Sequence, residues 1–252
     1  MRYYPPVGES KHKEAEVATM FNTIAPRYDV LNRVLSFGLD RWWRRAAIRR
    51  LGSLKGTRIL DIATGTGDIA LATLSLHPSE VVGVDIAEAM LEEARKKFVP
   101  RGFEGRLSFI QGSAEDLPFP PSSFDAAIVA FGVRNFANLE AGLRSVERVL
   151  KPKSPLVILE FSQPSRQPIR SLYQLYSRFI LPKIGRAISK TTGPYEYLPD
   201  SISIFPSGQE FLKRLEKCGF TQTQSEPLTC GIVSLYTGYA SGNTNPSEAE
   251  SI

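Results

Sequence analysis

The residues with the most chemistry to offer sit in one short turn, Asp-Ile-Ala-Thr-Gly-Thr-Gly-Asp at residues 61–68. Gly65 and Gly67 permit a tight turn with the backbone held close to a ligand. Residues 65–70 formally match the glycine pattern of dinucleotide-binding turns, a pattern too short to decide alone. The acids decide more. A pyrophosphate at the start of the following helix would lie against Asp68, and like charges at close range are costly. S-adenosylmethionine carries no phosphate, but an ammonium, a carboxylate and a sulfonium. Asp61 and Asp68 suit such a cationic ligand, although Asp68 equally fits the positive end of a helix dipole.

Two further signals follow in order. Asp85 closes the next apolar run, 18 residues beyond Gly67, where it can accept both ribose hydroxyl hydrogens. A dehydrogenase would use the same device, so Asp85 alone says only adenosine ribose. The third run ends in Gln-Gly-Ser-Ala-Glu-Asp-Leu-Pro, residues 111–118. Ser113, Ala114, Glu115 and Asp116 fall where an adenine edge would lie. Glu115 or Asp116 taken singly fits a capped polar turn as well. The three signals together point to a class I methyltransferase with S-adenosylmethionine as cofactor.

Positioning these tips requires a sheet. RILDIA, VVGVDI, LSFIQG, FDAAIVAF and LVILEF are short runs rich in Val, Ile and Leu. Helical patterns at 69–76, 88–98 and 141–150 lie between most of them. Apolar strands alternating with amphipathic helices predict an α/β fold, a doubly wound and mostly parallel sheet. Segments 220–226 and 232–239 read as two closing strands, for seven in all, after a helix at 208–218. Residues 1–240 are expected to form one domain. It has an N-terminal helical cap (1–52), in which Asp40 is an expected N-cap, and a helical insertion (163–200). The polar tail 241–252 is expected to be disordered.

Composition narrows the class. No apolar run among the 252 residues approaches the length of a membrane span, and residues 1–10 lack a signal region, so a cytoplasmic protein is expected. Cys218 and Cys230 read as reduced packing thiols, with no metal site. The net charge of +5 is concentrated: Arg166, Arg170, Arg178, Lys183, Arg186 and Lys190 occur in one stretch without an acid. That local patch does not make the chain a nucleic-acid binder, and no N/D-P-P-Y/F element or catalytic cysteine pair marks an RNA methyltransferase. The sequence is compatible with a homodimer.

Several longer elements are more specific than the glycine turn. They are FNTIAPRYDVLN (21–32), SFGLDRW (36–42), GSAEDLPF (112–119), FGVRN (131–135), LEFS (159–162), PYEYLP (194–199) and LTCGI (228–232). Through them, from about residue 17 to 239, the chain resembles the demethylmenaquinone and ubiquinone C-methyltransferases of quinone biosynthesis. The resemblance implies cofactor contacts at Thr66, Asp85, Ser113 and Ala114. Asp61, Thr64, Gly65, Gly67 and Ile86 complete the expected set. Ala130 stands where some members carry a serine, so a hydroxyl contact expected there is absent.

The resemblance also implies methyl transfer to a ring carbon of a polyprenylated hydroquinone. The carbon becomes nucleophilic when a neighbouring hydroxyl ionises, which for a phenol costs roughly 4 kcal/mol at pH 7. His12 and His77 are poorly placed to help. Arg134, just past the fourth strand, is expected to stabilise the phenolate and Asn135 to position the oxygen, with an ion-pair role for Arg134 as the alternative. Tyr28, Asp29, Tyr195 and Tyr197 are expected to face the pocket as lid or proton relay. Ile169, Leu172, Tyr173, Tyr176, Phe179, Ile180 and Ile184 recur at helical spacing among the basic residues. That pattern fits an anionic membrane surface or a lid packed on the core. A methyltransferase for a soluble acceptor and a non-catalytic nucleoside-binding module are the rival readings.

Overall fold

A computed structural model describes residues 12–98, 102–103, 105–181 and 193–242, with the side chains of 193–196 left aside. Five strands run parallel: β1 (Arg58–Ile62), β2 (Glu80–Asp85), β3 (Leu107–Gln111), β4 (Ala126–Ala130) and β5 (Pro155–Phe161). The hairpin of β6 (Phe220–Leu228) and β7 (Val233–Ala240) completes a seven-stranded sheet of order β3-β2-β1-β4-β5-β7-β6. β7 is antiparallel to both neighbours.

The central strands are apolar along their whole length because both faces are covered. On one face, Leu60, Val82, Ala127 and Ile158 pack under α6 (Leu139–Val149) and α9 (Gln209–Lys217), through Leu143, Val146, Phe211 and Leu215. On the other, Ile59, Val81, Ile128 and Val157 pack under α3 (Asp40–Arg50) and α4 (Asp68–Thr73). α5 (Glu88–Phe98) covers β2 and β3. The parallel register carries the ends of β1, β2, β3 and β4 to one edge of the sheet. The crevice outside the carboxyl ends of such a sheet is where ligands bind.

Above that edge lie α1 (Lys13–Ile24), α2 (Tyr28–Leu35), α7 (Ile169–Leu175) and α8 (Gly193–Ile204). A π-helical turn, Tyr176–Ile180, extends α7. α1 is anchored by the buried Lys13, whose Nζ donates to the carbonyls of Phe136 (2.6 Å) and Arg134 (3.3 Å). Part of the predicted insertion, including Lys183, Ile184, Arg186 and Lys190, lies outside the described residues, as does the tail beyond 242. Among the described residues no helix is long and apolar enough to cross a membrane.

Two local expectations are corrected. Asp40 does not cap α3 with its side chain; the helix begins on it, and its carboxylate accepts from Arg33 and Ser36 instead. Cys230 is exposed, so only Cys218 is a packing thiol.

Gly67 has φ +79°, and a Cβ there would meet Phe98 at 2.6 Å and Phe109 at 2.9 Å. Those two rings stack with centroids 5.9 Å apart and leave no room to yield. Gly67→Ala is expected to lower the unfolding free energy by about 2–3 kcal/mol. Denaturant titration would register this as a lower midpoint at unchanged slope.

Candidate active site

The cleft at the strand tips spans about 650 Å³, counting the space that opens to solvent. Ile62, Val84, Ile86 and Met90 give it apolar walls, and Asp85, Ser113, Ala114 and Ala130 line it beside Gly65. Val17 and Phe21 of α1 form its cover. A polar annex continues past Tyr28, Gly65 and Ala130 and is lined by Asp61, Thr64, Thr66, Asp68 and Arg44.

The acids in this region fall into two groups. Asp61 is 1% exposed, and Thr64 Oγ1 donates to its Oδ2 at 2.6 Å. Burial pushes its pKa up to about 7, against the lowering effect of that hydrogen bond. Asp85 accepts from the backbone N–H of Gly65 (2.8 Å) and Ala87 (2.9 Å), and burial raises it to about 6. Neither forms a salt bridge among the described residues. Asp68 is different. Arg44 Nη1 lies 2.5 Å from its Oδ2 and Lys97 Nζ 3.2 Å from its Oδ1. Burial would raise its pKa, but these two cations hold it below the usual carboxylate range. The expectation that Asp68 awaits a cationic ligand is therefore corrected, because the protein supplies its cations.

A second chamber of about 980 Å³ adjoins the cleft across Phe21, Tyr28 and Phe131. Ile24, Leu35, Trp43, Phe161, Leu181, Leu198 and Ile202 make it largely apolar. Arg134, Asp40, Tyr28, Tyr173, Tyr176 and Tyr197 bring its polar atoms. Arg134 Nη1 pairs with the fully buried Glu160 at 2.8 Å, while its buried Nε has no hydrogen-bond partner. Its guanidinium also lies 5.6 Å from the centre of the Phe161 ring. Burial raises the pKa of Tyr28 and Tyr197, and that of Tyr173 to about 12, although nearby Arg134 opposes the shift in all three.

The expected residues distribute unevenly. Asp61, Thr64, Gly65, Thr66, Asp85, Ile86, Ser113, Ala114 and Ala130 all line the cleft or its annex. Gly67 lines neither; it lets the turn close on Phe98 and Phe109. Tyr28, Arg134 and Tyr197 line the chamber. Asp29 does not. It accepts from Thr66 Oγ1 at 2.5 Å and pairs with Lys97, clipping α2 to the glycine turn. Asn135 lines the cofactor cleft rather than the chamber, and its Oδ1 accepts from Tyr197 Oη at 3.1 Å. The side chain of Tyr195 lies outside the described residues. Glu115 accepts from the N–H groups of Ala137 and Asn138, a clip between loops. His77 sits beyond α4 at the far end of the sheet.

Sequence reasoning missed Arg44, Asp40 and Glu160. Their only local signals were the Asp-Arg spacing in 40–44 and an acid ending the fifth strand.

The sheet order and the acid-lined cleft at its switch point define a class I methyltransferase. The residues would suit S-adenosylmethionine: a carboxylate at the second strand tip for the ribose, apolar walls for the adenine, and Asp61 in the polar annex for its ammonium. Comparison with known proteins agrees. The model of the ubiE/COQ5 methyltransferase family matches residues 9–240. The ubiquinone/menaquinone biosynthesis C-methyltransferase UbiE of Syntrophotalea carbinolica is 50% identical over 220 residues, 87% of this chain and 92% of its own. The demethylmenaquinone methyltransferase of Bacteroides fragilis is 42% identical over 233 residues, 92% and 95% of the two chains. The chain belongs to the ubiE/COQ5 methyltransferase family, and S-adenosylmethionine is its methyl donor.

Solved structures repeat the fold at low identity. A SAM-dependent methyltransferase of Thermotoga maritima superposes with TM-score 0.59 at 21% identity, covering 88% of this chain and 98% of that one. The [4+2]-cyclase SpnF gives 0.64 at 16%, covering 95% and 99%. The cyclase illustrates that this fold alone does not set the reaction.

The raised acids set a pH dependence. A carboxyl whose folded pKa exceeds its unfolded value is protonated more in the fold, so ligand-free stability falls as pH rises from about 4 to 7. If Asp61 receives the cofactor's ammonium, binding needs its ionised form, and cofactor affinity would run the opposite way. Calorimetry should find S-adenosylmethionine bound about tenfold more weakly at pH 6 than at pH 8. Asp61→Asn should bind weakly at both. Equal affinity of the native protein at the two pH values would contradict the assignment.

Proposed function

We propose that this enzyme methylates a ring carbon of a polyprenylated hydroquinone, demethylmenaquinol, in menaquinone or ubiquinone biosynthesis. The observation that carries this reading is the apolar chamber beside the cofactor cleft, with the bare Nε of Arg134 in its wall. The names of the two relatives supply the same substrate class. A soluble polar acceptor would find few partners among Ile24, Leu35, Phe161 and Leu198.

When bound, S-adenosylmethionine supplies an electrophilic methyl group on a sulfonium. The chain's own residues must make the acceptor carbon nucleophilic. Arg134 lines the chamber and is held in place by Glu160, which fixes one side of the guanidinium and leaves Nε without a partner. A charge-assisted hydrogen bond from Nε to a developing phenolate contributes about 1.5–3 kcal/mol, much of the cost of ionisation at neutral pH. Asn135 acts at one remove, by orienting the Tyr197 hydroxyl at the boundary of the two pockets. Phe131 and Tyr28 close the seam between donor and acceptor and exclude water from it.

The helical insertion serves both the chamber and its surroundings. Tyr173 and Tyr176 line the chamber, whereas Leu172, Leu175, Phe179 and Ile180 are exposed. Tyr176 ties this segment to α2 through the carbonyl of Leu35 (2.7 Å) and packs on Phe37, itself exposed beside Trp42. Exposed Arg41, Arg45, Arg166, Arg170 and Arg178 accompany these apolar side chains. A basic rim around exposed apolar residues suits peripheral docking on an anionic bilayer, from which a lipid-tailed substrate is drawn.

Two measurements test the reading. Release of S-adenosylhomocysteine should require a prenylated quinol. Arg134→Lys, which keeps a cation for Glu160 but loses Nε, should lower kcat about 10–100-fold with cofactor affinity unchanged. Near-normal turnover would remove Arg134 from the chemistry. Co-sedimentation with phosphatidylglycerol vesicles should be strong at low salt and fall steeply at about 0.5 M salt. No binding at low salt would exclude the docking role.

A further inference from the structure

Three buried side-chain atoms among the described residues have no hydrogen-bond partner: Glu16 Oε2, Asp40 Oδ2 and Arg134 Nε. Two of the three residues line the same chamber. One atom is a donor and the other an acceptor. An unsatisfied buried polar atom costs about 1–3 kcal/mol, and a ligand in the chamber that both residues line could satisfy the two. That ligand must present an oxygen that accepts and a hydroxyl that donates, which a hydroquinone does. Resting on the quinol reading above, we infer that Asp40 is the general base of the methyl transfer, receiving the hydroxyl proton on Oδ2.

The surroundings of Asp40 separate its two oxygens. Oδ1 accepts from Arg33 Nη1 at 2.7 Å and from Ser36 Oγ at 3.1 Å. These contacts brace α2 against α3 and are all that a structural acid would require. Oδ2 makes no hydrogen bond; its one ion pair is with Arg44 Nη1 at 3.3 Å, a cation it shares with Asp68, which lies closer at 2.5 Å. The residue is 3% exposed, so water does not compete once the chamber is filled. Among the described residues, no histidine and no other acid lines the chamber. Among the described residues, the charged and titratable groups around Asp40 are Arg33 and Arg44 and, elsewhere on the chamber wall, Arg134, Tyr28, Tyr173, Tyr176 and Tyr197; Glu160 lies behind Arg134 as its ion-pair partner. The tyrosines whose shifts were given above are pushed up, which makes them poor proton acceptors at neutral pH.

The step balances as follows. The O–H bond breaks, its proton passes to Asp40 Oδ2, and its electron pair stays on oxygen opposite the Arg134 cation. That pair, delocalised through the ring, forms the new bond from ring carbon to methyl. The methyl–sulfur bond breaks with its pair left on sulfur. The ring carbon then loses its hydrogen as a proton to water, which restores aromaticity, and Asp40 returns its proton to the oxygen. One proton is released overall, and no oxidant or reductant is consumed.

The test compares the native protein with Asp40→Asn and Asp40→His. Readouts are turnover of a short-chain demethylmenaquinol from pH 5 to 9, cofactor affinity, thermal unfolding, and anaerobic binding of 1,4-naphthalenediol to the S-adenosylhomocysteine-loaded protein. Asp40→Asn is expected to lower kcat about 100-fold or more while cofactor affinity stays within about threefold. Asp40→His should regain at least about tenfold over Asn, with the acid limb of kcat/KM moved to about pH 6.5. Diol binding should weaken in Asp40→Asn and lose its dependence on pH. The inference is overturned if Asp40→Asn turns over within about threefold of the native protein. It is equally overturned if a folded, cofactor-binding Asp40→His shows the native acid limb. Should Asp40→Asn fail to fold, the position of the His limb decides. Should the native protein methylate no quinol at all, the functional reading falls, and the pH dependence of diol binding still decides the role of Asp40.

Discussion

A continuous chain of charge pairs, Arg33–Asp40–Arg44–Asp68–Lys97–Asp29, ties the N-terminal helices to the turn that receives the cofactor. It runs from α2 to α3, to the first residue of α4, to α5 and back to α2. The hydroxyl of Thr66 joins it through Asp29. Single exposed ion pairs contribute little, but this chain is shared, partly buried and geometrically closed. It adds a polar tie between α2, α3 and the glycine turn to the apolar packing of Trp43, Ala47 and Ile48 on the sheet.

The same network explains why some acids are satisfied and others are not. Asp68 and Asp29 spend their charge on Arg or Lys of the cap and of α5, and Asp40 does so through Oδ1, with Oδ2 left without a hydrogen bond. Asp61 and Asp85 receive hydroxyl or backbone hydrogen bonds but no cation, and burial raises both. The fold tolerates the cost at those two positions, where a cationic, hydroxyl-bearing ligand belongs. Pairing is used where the chain must hold itself, and left incomplete where it must hold something else.

Much of this was legible from the sequence, for definite reasons. Parallel strands covered on both faces must be apolar throughout, so RILDIA and VVGVDI announced the sheet, and the register then brought Asp85 and Ser113 to the tip of Asp61. The LEFS and FGVRN elements supplied Phe131, Arg134 and Phe161 of the chamber lining. What could not be read was pairing between segments far apart in the chain. Nothing near Arg44 predicts Asp68, and nothing near Trp43 predicts its hydrogen bond to Thr229 at 2.7 Å. Asp29 was expected at the pocket and Asn135 at the substrate oxygen; the contacts to Thr66 and Lys97 for the one and to Tyr197 for the other were not foreseen. A loop's direction depends on what the far end of the chain supplies. The pairing of Arg134 with Glu160 was visible only as an open alternative, because the acid lies 26 residues away on the next strand.

Tyr28 lines the adenosine cleft, the polar annex and the acceptor chamber at once. One phenol ring is thus common property of two binding equilibria. Whatever ordering of that ring one ligand brings about is inherited by the other, and thermodynamic reciprocity makes the coupling equal in both directions. Donor and acceptor therefore cannot be treated as independent occupants. The affinity measured for either is a property of the pair, with the shared wall between them as the physical carrier of their cooperativity.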